Sequence, residues 1–210
     1  MKTLLIVLFT FIASCKEDNK EATYFTGELT YKYTYSSSEL NADSLKQNRP
    51  EKAVFRFDTI NYQSQFIGKD TFTYYYSSLL NKSVSKTNDK FDEGCEDYSL
   101  PTDSILSFKV YDTDEKVLGY ACRILEFQSK IFYTKYYISK DLKIAPATYE
   151  KHKAYNWSFY GEKADGGLIL KLEHRFKKFT MSGIATYVIA KDENFKALEI
   201  DDSTLKQICK

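Results

Sequence analysis

At 210 residues the chain is long enough for one domain with a real apolar core, built without metals or dense disulfides. Its 30 basic and 29 acidic residues leave a net charge of +1, so it lacks the basic stripe that phosphate neutralisation demands. Nucleic acid is therefore not expected as a partner, and neither is polybasic attraction to lipid headgroups.

The first element is terminal. Lys2 is followed by an apolar run from Leu4 to Ile12 and then by Ala13, Ser14 and Cys15. A membrane-spanning helix needs about 20 apolar residues. This run is roughly half as long before Lys16, Glu17 and Asp18 interrupt it, so it reads as a cleavable export signal. Ile12-Ala13-Ser14-Cys15 resembles the lipobox of bacterial lipoproteins, which implies that Cys15 carries the lipid anchor. The competing reading is an ordinary secretory signal with an incidental cysteine. Lys16-Glu17-Asp18 resembles the short export signal of Bacteroidetes surface lipoproteins, although a solvated charged tether explains it equally. The expected organisation is a signal at 1–14, a lipidated tether at 15–22 and a single domain at 23–210. The lipid would make the membrane a partner, at the outer membrane or the cell surface. Loss of Lys2 leaves 29 basic against 29 acidic residues, a neutral mature chain.

Tyr (18) and Phe (15) dominate the aromatics while glycine and proline are scarce, a composition that suits pleated, half-buried surfaces. Residues 26–35 alternate Leu29, Tyr31, Tyr33 and Tyr35 with polar neighbours, a period-2 strand. Residues 36–50 read as a loop with at most a short helix. Strands resume at 52–58 (Ala53, Phe55 and Phe57 on one face), 61–67 and 70–77 (Phe72, Tyr74 and Tyr76 on one face), with turn residues between them that imply hairpins. Residues 86–103 are acidic and irregular around Cys95. Strands are then expected at 105–111, 117–128 and 131–139, the first two joined by a turn at Asp112-Thr113-Asp114-Glu115. Residues 146–166, with Trp157, read as irregular again, and 168–176, 179–190 and 195–200 complete about ten strands. So many sequential antiparallel strands must curl, split or close.

The segment Lys116-Val117-Leu118-Gly119-Tyr120-Ala121-Cys122-Arg123, with the later Gly166-Gly167-Leu168-Ile169-Leu170, resembles the GLPGLI-type secreted proteins of Bacteroidetes. More distantly, the mature chain resembles the LolA-like lipoprotein-carrier superfamily. The chain has Asp165-Gly166-Gly167 where the first family has Leu-Pro between its glycines. The resemblance implies an all-β, strongly curved antiparallel sheet, an unclosed half-barrel whose concave face holds an apolar ligand, and it implies no catalytic residue.

His152 and His174 lie among lysines, are expected on solvated faces, and lack a nucleophile motif. No Cys-x-x-Cys, His-Glu-x-x-His or phosphate loop occurs, so no metal or cofactor is expected. Asp112 to Glu115 begins like a calcium loop but Lys116 breaks it. Asp92, Glu93, Glu96 and Asp97 read as a solvated loop. Cys95 is expected to pair with Cys122, leaving Cys209 free, because tying the acidic loop to a strand would remove loop entropy worth roughly 3 to 4 kcal/mol.

The surplus feature is aromatic. Tyr31, Tyr33, Phe55, Phe57, Phe72 and Tyr74 are expected on one concave face, where an apolar small molecule or acyl chain would lie. Two readings follow: a non-enzymatic envelope lipoprotein that binds such a ligand, or a structural lipoprotein with a fully packed core whose partner is another envelope protein.

Overall fold

The structure, a computed structural model, describes residues 23–47, 49–192 and 194–209. The lipidation reading at Cys15, the signal and the tether at 15–22 lie outside the described residues. In the first half the strands are β1 (Gly27–Ser36), β2 (Lys52–Phe57), β3 (Tyr62–Ile67), β4 (Thr71–Ser77), β5 (Lys82–Thr87), β6 (Lys90–Phe91) and β7 (Glu96–Asp97), with helix α1 (Ala42–Gln47) after β1. The second half holds β8 (Ile105–Val117), β9 (Tyr120–Ser129), β10 (Tyr133–Lys143), helix α2 (Trp157–Lys163), β11 (Gly167–Arg175), β12 (Thr180–Ala190) and helix α3 (Asp202–Ile208). Among the described residues no helix is long and apolar enough to cross a membrane.

All twelve strands join one antiparallel sheet, in the order β6-β5-β4-β3-β2-β1-β12-β11-β10-β9-β8, with β7 added beside β5. Two meanders run outward from a central seam where β1 pairs with β12. The sheet does not close, and forms the curved half-barrel expected from the sequence. Extra residues in one strand bend a ladder and increase its twist. Register shifts of this kind occur between Thr30 and Tyr31 in the seam, between Tyr137 and Ile138 in β10, and between Asp112 and Lys116 in β8.

Several expected elements differ. The turn assigned to Asp112–Glu115 lies inside β8, which the irregularity lets continue. The chain reverses instead at Leu118 and Gly119, both at positive φ (51° and 86°), as a two-residue hairpin turn requires. Residues 195–200 form no strand, because their backbone is held by side chains. Ala197 N–H donates to Asp58 Oδ2 (3.1 Å) and Glu199 N–H to Gln63 Oε1 (3.3 Å). Beyond them α3 begins at Asp201, whose carboxylate accepts from Thr204 N–H at 2.7 Å and caps the helix. Leu205 of α3 packs with Tyr75 and Val84 on the outer face of β4 and β5, apart from the main core.

Candidate functional site

The period-2 alternation of β1 to β4 places one residue in two on the concave face, and the ladders fix which. Leu29 faces Phe55, Phe55 faces Ser64, and Ser64 faces Tyr74; Ala53 lies between Tyr31 and Phe66, and Phe66 faces Phe72. Ring contacts follow the same path: Tyr31 to Phe55 at 5.5 Å, Phe55 to Phe66 at 5.7 Å and Phe66 to Tyr74 at 6.0 Å. Tyr31, Tyr33, Phe55, Phe57, Phe72 and Tyr74 are therefore brought to one wall. Ala53 and Ser64, the small members of this face, leave room between the rings.

Across the seam, one row of side chains runs Tyr33, Gly183, Leu172, Tyr136 and Leu125, from β1 to β9. Gly183 has a packing role here. A Cβ at this position would stand 2.6 Å from Cε1 of Tyr33, so the missing side chain is what allows the Tyr33 ring to lie flat on β12.

Residues 146–166 are not merely irregular. Two 3₁₀ turns (Pro146–Thr148 and Ala154–Asn156) lead into α2, which lies across the concavity. Trp157 packs on Tyr62 of β3 (5.5 Å), Tyr160 on Tyr136 of β10 (5.7 Å) and Phe159 on Phe127 of β9 (5.5 Å), so the segment touches both halves of the sheet. The entry into α2 is left-handed at Tyr155 and Asn156 (φ 54° and 60°). Tyr155 N–H donates to Thr102 Oγ1 (2.8 Å) and its hydroxyl to Glu96 Oε1 (2.9 Å), contacts that hold this uncommon conformation.

Between α2 and the sheet lie two adjoining cavities. The outer, about 440 Å³, is walled by Phe55, Tyr62, Ser64, Phe66, Phe72, Tyr74, Tyr98, Tyr155 and Trp157, with Pro50 at its rim. The inner, about 220 Å³, is walled by Tyr31, Tyr33, Phe55, Phe57, Phe66, Tyr136, Tyr155, Trp157, Tyr160, Leu168, Ile169, Leu172, His174 and Met181. Phe55, Phe66, Tyr155 and Trp157 belong to both. No wall residue of either carries a formal charge at neutral pH. The expected aromatics thus all line the cleft. Phe66, Tyr136, Tyr155, Trp157 and Tyr160 join them unforeseen. Phe66 lies in the expected strand 61–67, where Ser64 interrupts the aromatic alternation, and the last three lie in a segment whose aromatic density was the available signal.

The tyrosines are neutral. Burial pushes the Tyr31, Tyr33, Tyr136 and Tyr160 phenols well above their ordinary value. Tyr31 donates to the Ile169 carbonyl and Tyr160 to that of Gly167. Both histidines depart from expectation. His152 is 1% exposed, stacked among Tyr62, Tyr76 and Tyr98, with Nε2 bonded to the Tyr62 hydroxyl at 2.7 Å. Burial lowers its pKa to about 3. His174 is ringed by Phe132, Tyr136 and Phe176, and this enclosure lowers its pKa to about 4; its Nδ1 bonds the Thr134 hydroxyl at 2.8 Å. Lys151 and Lys153 on either side of His152 are exposed, as are Lys177 and Lys178 beyond His174.

The cysteine assignment is also corrected. Cys95, Cys122 and Cys209 are free thiols. Cys122 is buried in the main core, whereas Cys95 and Cys209 both pack against the cluster around Leu205 of α3, where burial and the neighbouring Cys95 push the Cys209 thiol up. The capped helix, unseen in the sequence, carries Cys209 back to the acidic loop. Among the described residues no group of three or more His, Cys, Asp or Glu side chains is placed to hold a metal ion.

No family model matches the chain, and no curated protein does. It is similar to two solved structures of PNGF-II, in the C2 and P21 space groups, at 15% and 16% identity with TM-scores of 0.47 and 0.43. The alignments cover 88% of this chain and 32% and 33% of those chains, so it spans about a third of their length.

Proposed function

We propose that this chain is a non-enzymatic cell-envelope lipoprotein, anchored through Cys15 at the outer membrane or cell surface, that binds an apolar ligand in the cleft between α2 and the concave sheet. The observation that carries the reading is the pair of adjoining, uncharged cavities of about 440 and 220 Å³ walled by aromatic side chains. Ligand pockets of roughly 300–1,000 Å³ are typically apolar with a few placed polar groups, and this cleft has that character. Tyrosine suits such a wall because its ring is apolar and its hydroxyl still seeks a partner. The histidines support binding over catalysis, since both are held neutral by burial and bonded to the hydroxyls of Tyr62 and Thr134. A purely structural lipoprotein would be expected to fill this space with side chains.

Native mass spectrometry of the full chain released from detergent micelles tests the reading. The expected result is a co-purifying apolar molecule that disappears when the cleft is filled by substitution. A protein that carries nothing, and takes up no apolar probe, would leave the structural role as the better account.

A further inference from the structure

The inner cavity is apolar on most of its surface but not at one place. Tyr31 and Tyr33 stack at 6.1 Å, Tyr136 and Tyr160 pack edge to face at 5.7 Å, and all four line this cavity. Tyr31 and Tyr160 are engaged by backbone carbonyls. The hydroxyls of Tyr33 and Tyr136 make no hydrogen bond to any described residue, although Tyr33 is only 6% exposed. His174, on the same wall, uses Nδ1 on Thr134 and keeps Nε2 free to donate or accept.

Resting on the binding role proposed above, we infer that the cleft takes an uncharged amphiphile, an apolar chain ending in a hydroxyl or carbonyl group that meets Tyr33 and Tyr136, and that it discriminates against carboxylates. A pure hydrocarbon would leave two enclosed phenols without partners, which is unfavourable. A hydroxyl or carbonyl oxygen accepts from them directly. An ionised head would enter a wall without lysine or arginine, and a buried charge without a counter-charge is costly. Arg123 lines neither cavity, and its Nη2 donates to the Ala164 carbonyl. At the mouth Glu96 is bonded to Tyr155 and is of the wrong sign for an anion, while Arg49, next to the rim residue Pro50, donates to the Leu45 carbonyl and lies over the Phe179 ring. The wall therefore selects by charge as well as by polarity.

The test uses the full chain in neutral detergent with two probes, dodecanol and dodecanoate, carrying the same diazirine at the same carbon. Labelling is run above the pKa of the micellar acid, and cross-links are mapped by mass spectrometry. Dodecanol is expected to label cleft residues at least about tenfold more than dodecanoate, the ratio set by about 1.4 kcal/mol of discrimination. Tyr33→Phe and Tyr136→Phe are each expected to cut alcohol labelling by roughly three- to tenfold, as loss of one hydrogen bond does, while labelling by the matching diazirine alkane stays the same or rises. The alkane separates a lost hydrogen bond from a damaged fold. Equal or stronger labelling by dodecanoate would overturn the inference and leave apolar binding intact. Absence of labelling by all the probes would overturn both.

Discussion

Ser64 is the small residue at the centre of the aromatic wall, paired with Phe55 on one side and Tyr74 on the other, and it opens onto the outer cavity. Leucine at this site would project into the cavity rather than into the core, so Ser64→Leu should cost no more than the roughly 1–3 kcal/mol of ordinary overpacking. Uptake of a fluorescent apolar probe is expected to fall more than tenfold with circular dichroism unchanged. Charged replacements at Tyr33 or Phe57 are poorer tools, since both side chains sit in the core and an unpaired charge there would unfold the domain.

His152 provides a second test at the same scale. Its folded pKa, about 3, lies below the unfolded value of 6.5, so the unfolded chain binds the proton first. Its contribution to stability is whole above pH 6.5 and is lost progressively as the pH falls toward 3, at up to about 1.4 kcal/mol per pH unit. Urea unfolding should show wild type losing about 2 kcal/mol more than His152→Gln between about pH 7 and about pH 5. His174, lowered to about 4, acts in the same direction in both proteins and keeps the variant acid-sensitive. The burial of His152 was legible in principle. Lys151 and Lys153 alternate with it and are exposed, which is the signature of one inward residue between two outward ones.

Among the elements, α3 changes the chemistry of the cysteines. It is short, has the single buried anchor Leu205, and is fixed by the Asp201 cap, so it brings Cys209 to Cys95 around the same anchor. Mild oxidation of the full chain with diamide is expected to join the tryptic peptides of Cys95 and Cys209, leaving that of Cys122 alkylatable. Recovery of a Cys95–Cys122 peptide would contradict this packing. The sequence made β1 to β4 readable because each alternates aromatic and polar residues in step with its pleat. It hid β5, whose Lys82-Ser83-Val84-Ser85-Lys86-Thr87 offers one large apolar residue, Val84, and hid α3, which presents too short an apolar face. Tyr75 was the overlooked clue, an aromatic on the otherwise polar face of β4, and α3 is what covers it. For α2, the aromatics of 155–160 are spaced neither as a strand nor as a long helix, because they contact opposite halves of a curved sheet.

For the whole molecule, the seam between β1 and β12 is the decisive feature. The halves β1–β7 and β8–β12 follow one another along the chain and are linked through residues 98–104, yet they pair at their far ends in sequence, along a ladder from Gly27↔Ala190 to Ser36↔Thr180. The floor of the cleft crosses this seam, with Tyr33 laid on Gly183. α2 ties the halves a second time through Tyr62 and Tyr136. Covalent continuity at the link should then matter less than the sheet. Leu100 is 64% exposed and outside every strand, so a protease site inserted after it should be cut without strain. The two fragments are expected to elute together in gel filtration under native conditions and apart in urea, with probe uptake by the nicked protein within about twofold of the intact chain, a change of less than about 0.5 kcal/mol. Separation of the fragments in native buffer would mean that the seam and α2 do not hold the halves, and that the cleft depends on the connecting segment instead.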